Sequence, residues 1–426
     1  MNLRISKLKL SYLYTLVGVL VIDLLRYLSF DGIFFAFGTH LSAFIAYTSL
    51  FVFFGIASRK DIVIEDKKIS FYFKIYLWYL GLNIIRGFFI ANTYWEYKFL
   101  LLNSFLFTLI SFTFYLGKYL SIFKNLVHFY IKRLLFIALI ILPFTYFVSP
   151  QVFSRLVIAV GPLLLFTPFF KKKWVLFLIG VVILSHWSNM LFRTNIIKTI
   201  FSVLILGVYY LNLLRPFFLK IVYFSVLVLP MGIVFLGLTG QYNIFEEFSK
   251  TEGYELENRQ SGEEYESQTV DTRTFLYAEV IADVIKNNSV LFGKSPSQAY
   301  RSYFFYNYGG AMNGMRYRSE VHILNLFLHF GIIGVILYLL FLVRIAYLAL
   351  FQTKNSLSKM LGLLILTRYM LSFLEEFTQY DLNWYFFWLI MGLVSSKKFR
   401  NMTDAEIKYW LSTNPKEKGA IESNIN

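Results

Sequence analysis

Residues 321–350 read VHILNLFLHF GIIGVILYLL FLVRIAYLAL. About 20 apolar residues in helical conformation cross the roughly 30 Å hydrocarbon core of a bilayer, and this run exceeds that length. Working outward, comparable runs lie at 10–28, 33–57, 70–91, 98–117, 134–149, 153–170, 174–190, 195–213, 217–238, 357–374 and 382–396. The chain is 57% hydrophobic and only 15% charged, a balance that suits side chains facing lipid or other buried helices and not water. The expected fold is therefore all-α and integral to the membrane: a polytopic bundle of about twelve transmembrane helices.

The formal charge of +16 does not indicate a nucleic-acid partner, because Lys and Arg fall in short clusters between the apolar runs. Clusters so placed orient a membrane protein. Alternate connections, starting at the N-terminus, carry Arg4, Lys7 and Lys9, then Arg59, Lys60, Lys67 and Lys68, then Lys118, Lys124, Lys132 and Arg133, then Lys171, Lys172 and Lys173, then Arg215, then Lys354 and Lys359. By the positive-inside rule these are cytoplasmic. The opposite set holds Asp31, Glu96 and the Glu375, Glu376, Asp381 turn, and Lys397, Lys398 and Arg400 restore the basic signal after the last run. Both termini are expected in the cytoplasm. The basic start followed by an apolar run imitates a signal peptide, but Asp23 and Arg26 stand where a small-residue cleavage site would, so the segment reads as a retained span. With no cysteine, disulfides and thiolate metal sites are excluded.

One connection breaks the pattern. The chain divides into a bundle over 1–238 with about nine spans, a long extracytoplasmic loop over 239–320, about three spans over 321–396 and a cytoplasmic tail over 397–426. Loops of this length are uncommon unless they carry function. Its first part is acidic, with Glu246, Glu247, Glu252, Glu255 and Glu257 among others, and its second part has an amphipathic helical pattern from about Thr274 to Lys286. The Tyr300 to Tyr308 stretch is rich in Tyr and Phe and precedes Arg316 and Arg318. Aromatic and arginine side chains suit sugar faces and phosphate oxygens, and they equally suit a lipid headgroup boundary.

Ionisable side chains within spans cost roughly 2.5–3.5 kcal/mol each on the translocon scale, so each needs a partner or a purpose. Asp23 and Arg26, three apart, are expected to neutralise one another. Arg86 and Arg368 fall in the outer halves of their helices, and either snorkelling or a polar cavity accounts for them. Arg193 closes the polar turn from Ser185 and sits on the same side as the long loop, either as a headgroup anchor or as one wall of a basic cleft with Arg273, Arg316, Arg318, Glu320 and His322. Two other signals are rejected. Gly293-Lys294-Ser295 imitates the end of a P-loop, but Asn288 occupies the position of the required earlier glycine. His40, His128, His186, His322 and His329 lack any paired-ligand spacing, so no metal and no cofactor is expected.

Three stretches bear a family likeness: the turn ending in Arg193; Asp271-Thr272-Arg273 with Ala278-Glu279-Val280 and Leu291 to Ser295; and Glu320-Val321-His322 running through Gly331-Ile332-Ile333-Gly334. In these, the chain resembles the O-antigen polymerase and O-antigen ligase superfamily of bacterial polysaccharide assembly. The resemblance implies a metal-independent, inverting glycosyltransferase acting on undecaprenyl-diphosphate-linked oligosaccharide at the outer face of the bacterial cytoplasmic membrane. It also implies possible neighbours of the same pathway, a chain-length regulator and a flippase. The chemistry is consistent with this, since a diphosphate leaving group gains negative charge as the glycosidic bond breaks and arginines give permanent bidentate contacts to it. On that reading Arg193, Arg273 and Arg318 bind the diphosphate, His322 accepts the proton of the attacking hydroxyl, and Glu320 serves or orients it. His322 has a plainer reading too, as a histidine at a span's end donating to backbone carbonyls. A polymerase is the leading expectation, a ligase transferring the glycan to a lipid A core is its rival, and a lipid-linked oligosaccharide flippase is the alternative from another class.

Overall fold

The computed structural model describes residues 12–25, 64–148, 156–188, 193–238, 272–302, 314–376 and 380–413, with a few isolated positions elsewhere. The expected span at 33–57, the acidic stretch from Glu246, His40 and Arg26 lie outside the described residues. Described helices, in chain order, are α1 (Tyr12–Leu25), α2 (Lys67–Ile90), α3 (Tyr94–Gly117), α4 (Leu120–Pro143), α5 (Val160–Phe169), α6 (Lys172–Ser188), α7 (Arg193–Tyr210) and α8 (Pro216–Leu238). They continue with α9 (Thr272–Lys286), α10 (His322–Phe351), α11 (Ser356–Leu371), α12 (Leu382–Ser395), α13 (Lys397–Asn401) and α14 (Asp404–Ser412). One short antiparallel ribbon, β1 (Tyr300–Arg301) with β2 (Met315–Arg316), stands between α9 and α10.

Five of these helices, α2, α3, α4, α8 and α10, are long and apolar enough to cross a membrane. The expectation of a helical membrane protein holds at that level. What faces outward agrees with it: α2 presents Trp78 at 73% and Phe89 at 85% exposure, and α8 presents Phe217 at 77% and Val228 at 68%. Large apolar side chains left bare along whole helices are tolerable only against lipid. Inside, where lipid tails offer no less hydrophobic a partner, close packing and aromatic contact hold the helices together. Phe73 of α2 stacks on Phe341 of α10 at 5.0 Å between ring centroids and lies 5.8 Å from Trp388 of α12.

The helices α10 and α11 pair most extensively, α12 lies against α3, and α2 against α10. Every residue of α12 is buried. Its 14 residues rise about 21 Å, so over the expected span at 382–396 the regular helix is shorter than the bilayer core and is enclosed by its neighbours. The expected run at 153–170 is likewise shorter, with α5 ending in a 3-10 turn that contains Pro168. A further difference concerns Lys118 to Arg133, read as a basic connection: helix begins at Leu120 and continues through a π-turn at Tyr130–Leu134. Lys132 and Arg133 stay exposed on this helix, and Lys124 alone is covered by protein. Lys124 is 2% exposed and donates to Thr413 Oγ1 at 2.8 Å, just beyond α14.

Two polar ties fix the end of the bundle where α13 lies. Asp66 caps α2 by accepting from Ile69 N at 2.8 Å, and its other oxygen meets Arg344 of α10 at 2.7 Å. Asn355, fully buried, caps α11 through Ser358 N at 2.6 Å while its amide donates to the carbonyls of Phe399 and Met402 at 2.9 and 3.1 Å. Truncating it removes a cap and strands buried carbonyls, so Asn355→Ala is expected to cost about 2–4 kcal/mol, read as a lowered melting temperature in detergent. Asn355→Asp retains the cap acceptor alone, and a melt no better than the alanine variant's would show that the donated bonds dominate.

Candidate functional site

At the opposite end of the bundle α10 is broken. Gly331 has φ 66° and ψ −172°, a region open essentially to glycine alone, and the segment after α9 lies in the break. Ile332 and Ile333 donate their N–H groups to Val290 and Leu291 O at 2.9 and 3.4 Å, and Lys294 N donates to Leu328 O at 2.7 Å. Tyr79 OH donates to Phe330 O at 2.6 Å. The broken helix thus has its exposed backbone groups answered by a neighbouring strand of chain and one tyrosine. Arg86, left between two readings by the sequence, donates to the carbonyls of Phe292 and Gly293, both at 2.9 Å, and so ties the inserted segment to α2.

The first half of α10 carries His322, Asn325 and His329 on one face, all buried. Spaced i, i+3 and i+7, they form a polar stripe on an otherwise apolar helix. Asn325 accepts from Ser319 N at 2.7 Å and donates to Ser319 O at 3.0 Å, which folds the approach to the helix back over it. His329 Nδ1 lies 3.1 Å from Ser295 O. A carbonyl only accepts, so that contact requires the proton on Nδ1. A small, largely apolar cavity of about 20 Å³, enough for one water, is walled by Phe99, Phe107, Leu326 and Phe330, with Asn103, Arg318, Asn325 and His329 at its edges.

Around this cavity the charged residues are paired. Arg318 meets Glu376 at 3.4 Å and Arg316 meets Glu320 at 3.4 Å, with the Glu320 side chain half-exposed. Burial pushes the Tyr300 phenol up despite the opposing charge of Arg316, so it stays a neutral hydroxyl beside β2. The helix α9 docks through Leu276, Val280 and Val284, and Tyr277 OH donates to Phe373 O at 2.9 Å.

Of the five residues expected to act, three have described side chains. Arg318 lines the cavity, Glu320 pairs with Arg316 outside that lining, and His322 begins α10 with its N–H on Glu375 O at 3.0 Å. The His322 ring is 0% exposed and packed among Tyr338, Trp384 and Phe107, at centroid distances of 5.1, 5.4 and 6.2 Å. A proton-accepting hydroxyl must come within about 3 Å of it, so those rings have to move for His322 to act as a base. Arg193 and Arg273 belong to the first turns of α7 and α9, and their side chains lie outside the described residues. Arg368 turns inward and donates to Asn383 Oδ1. His329, Asn325, Asn103 and Glu376 were not among the residues expected to act. For the first two the polar stripe in α10 was a legible signal, whereas Asn103 and Glu376 arrive from distant elements.

The fold and this cluster define a helical membrane protein with a mouth at one end where paired arginines and glutamates lie beside buried histidines. No protein-family pattern, curated protein or solved structure matches the chain.

Proposed function

We propose that the chain is a polysaccharide polymerase with about twelve spans, its mouth on the outer face of a bacterial cytoplasmic membrane. It transfers a growing glycan from undecaprenyl diphosphate to a lipid-linked repeat unit without a metal. The observation that carries the reading is the grouping of Arg316, Arg318, Glu320 and His322 within seven residues at one end of an apolar bundle, above the cavity that Arg318 and His329 line. Cations held there by nearby carboxylates suit a diphosphate, and a histidine and a glutamate beside them supply proton transfer. The family resemblance adds Arg193 and Arg273 as further diphosphate contacts. A ligase acting on a lipid A core would use the same groups.

A flippase is the second reading, favoured by the break in α10, since transporters often bind cargo or ions at discontinuous helices. Against it, the N–H groups of Ile332 and Ile333 and the carbonyls of Leu328 and Phe330 are already engaged within the chain.

The test is elongation of a lipid-diphosphate-linked repeat unit by the purified chain in chelator, followed as a ladder on a gel. Wild type is expected to build the ladder, with Arg318→Ala and Arg273→Ala reduced about 10²–10³-fold and His322→Ala about 10²–10⁴-fold while still folded. A wild type that makes no ladder but moves intact substrate between leaflets, unaffected by these variants, means transport.

A further inference from the structure

A second pocket lies at the end of the bundle where α14 sits, remote from the mouth. It measures about 390 Å³ and is walled by Lys132 of α4, Lys171 and Lys173 at the start of α6, Trp174, and His128 and Ser412. Among the described residues, no carboxylate lines it. Lys132 and Lys173 hold their ammonium groups 5.6 and 5.8 Å from the Trp174 ring centroid, so both charges lie near the indole. His128 is held by its Nε2 against Leu411 O at 3.1 Å, which ties the end of α14 into the wall.

The three ammonium groups are exposed and line one pocket, giving it a shared positive charge. Three like charges converge, and the first turn of α6 holds no acidic residue to balance the positive end of its own dipole. Lysines that merely orient a membrane protein need lie only in connections; here one of them comes from within α4 and is brought across to meet the other two. At about 30 Å³ per water, the volume holds roughly a dozen waters, more than a bare oxyanion fills. Trp174 and the apolar walls of Phe169 and Phe170 suit a carbon moiety attached to the anion.

We propose that this pocket binds a phosphoester, supplied either as the headgroup of an anionic phospholipid or as a soluble phosphorylated metabolite. The site is independent of the glycan chemistry at the mouth. Lysine ammonium groups act as strong point donors to phosphate oxygens, and the indole packs against the glycerol or sugar carbons.

The purified full chain is titrated in detergent with phosphatidylglycerol, with the matching diacylglycerol that lacks phosphate, and with glycerol 3-phosphate, reading bound adducts by native mass spectrometry. Wild type is expected to hold phosphatidylglycerol or glycerol 3-phosphate above the diacylglycerol background. The Lys132→Gln/Lys173→Gln pair should bind at least tenfold more weakly, Lys132→Arg/Lys173→Arg within about threefold of wild type, and Lys67→Gln/Lys68→Gln unchanged. If the glutamine pair does not fold, Lys132→Gln alone is read in the same way. Displacement of the lipid by glycerol 3-phosphate at similar concentration assigns a soluble source, and tight binding of the lipid alone assigns the bilayer. Equal binding by wild type and the folded glutamine variant, or no binding above diacylglycerol, overturns the site.

Discussion

Gly331→Ala is expected to be the most damaging small substitution in the chain, lowering stability by roughly 2–6 kcal/mol. Two separate costs combine. The backbone at φ 66° and ψ −172° is closed to alanine, and the added Cβ would stand 2.3 Å from Leu291 O and 2.5 Å from Gly293 N. Both are backbone atoms of the segment held in the break, so no rotamer change relieves the clash. Relief requires the inserted segment to leave, which releases the Arg86 bonds and unseats the chain leading to Lys294 and Ser295. Gly180→Ala in α6 is the control: nothing lies within 4 Å of its Cβ, and alanine in a helix should be neutral or stabilising by up to about 1 kcal/mol. Thermal melts of both variants in the same detergent decide the matter, and a Gly331→Ala melt within 2 °C of wild type, on the order of measurement error, would sink the account.

The contact of α3 with α12 should fail almost as sharply. A Cβ at Gly117 would lie 2.0 Å from Leu389 O, and one at Gly392 would lie 2.0 Å from Phe114 O. The two backbones therefore touch, as small residues permit between helices that gain little from hydrophobic burial in lipid. Each single alanine is expected to cost about 1–3 kcal/mol by forcing the helices apart and loosening the aromatic packing of Trp388 against Phe73 and Phe341. Once one alanine has opened the crossing, the second meets less resistance, so the double variant should fall short of the sum. A double-mutant cycle on thermal unfolding measures this, and strict additivity would mean that the helices do not meet at these glycines.

Much of this architecture was readable from composition. A lipid-facing helix needs a long unbroken apolar run, and the boundaries expected for α2, α3, α8 and α10 fall within a few residues of those observed. Within Lys118 to Arg133, Lys124 misled because charge was taken to mean solvent. A lysine inside a helix is stable where another part of the chain brings a partner, and Thr413, almost 300 residues away in sequence, cannot be inferred from local pattern. The same holds for α12, whose apolar character is shared by a span and by a core helix alike.

The mouth divides in the same manner. Residue types and spacing marked Arg318, Glu320 and His322, because those lie within five positions of one another at the head of an apolar run. Their pairing with Glu376, the burial of His322 among rings from α3, α10 and α12, and the joining of Asn103 to His329 depend on helix crossings. Hydrophobic length and charge placement thus determine, from the sequence by itself, that this is a helical membrane protein with its ionisable groups gathered toward the ends. Which of those groups meet was decided only by the tertiary structure, since side-chain contacts between helices follow from glycine-scale differences in backbone approach that no hydropathy pattern carries.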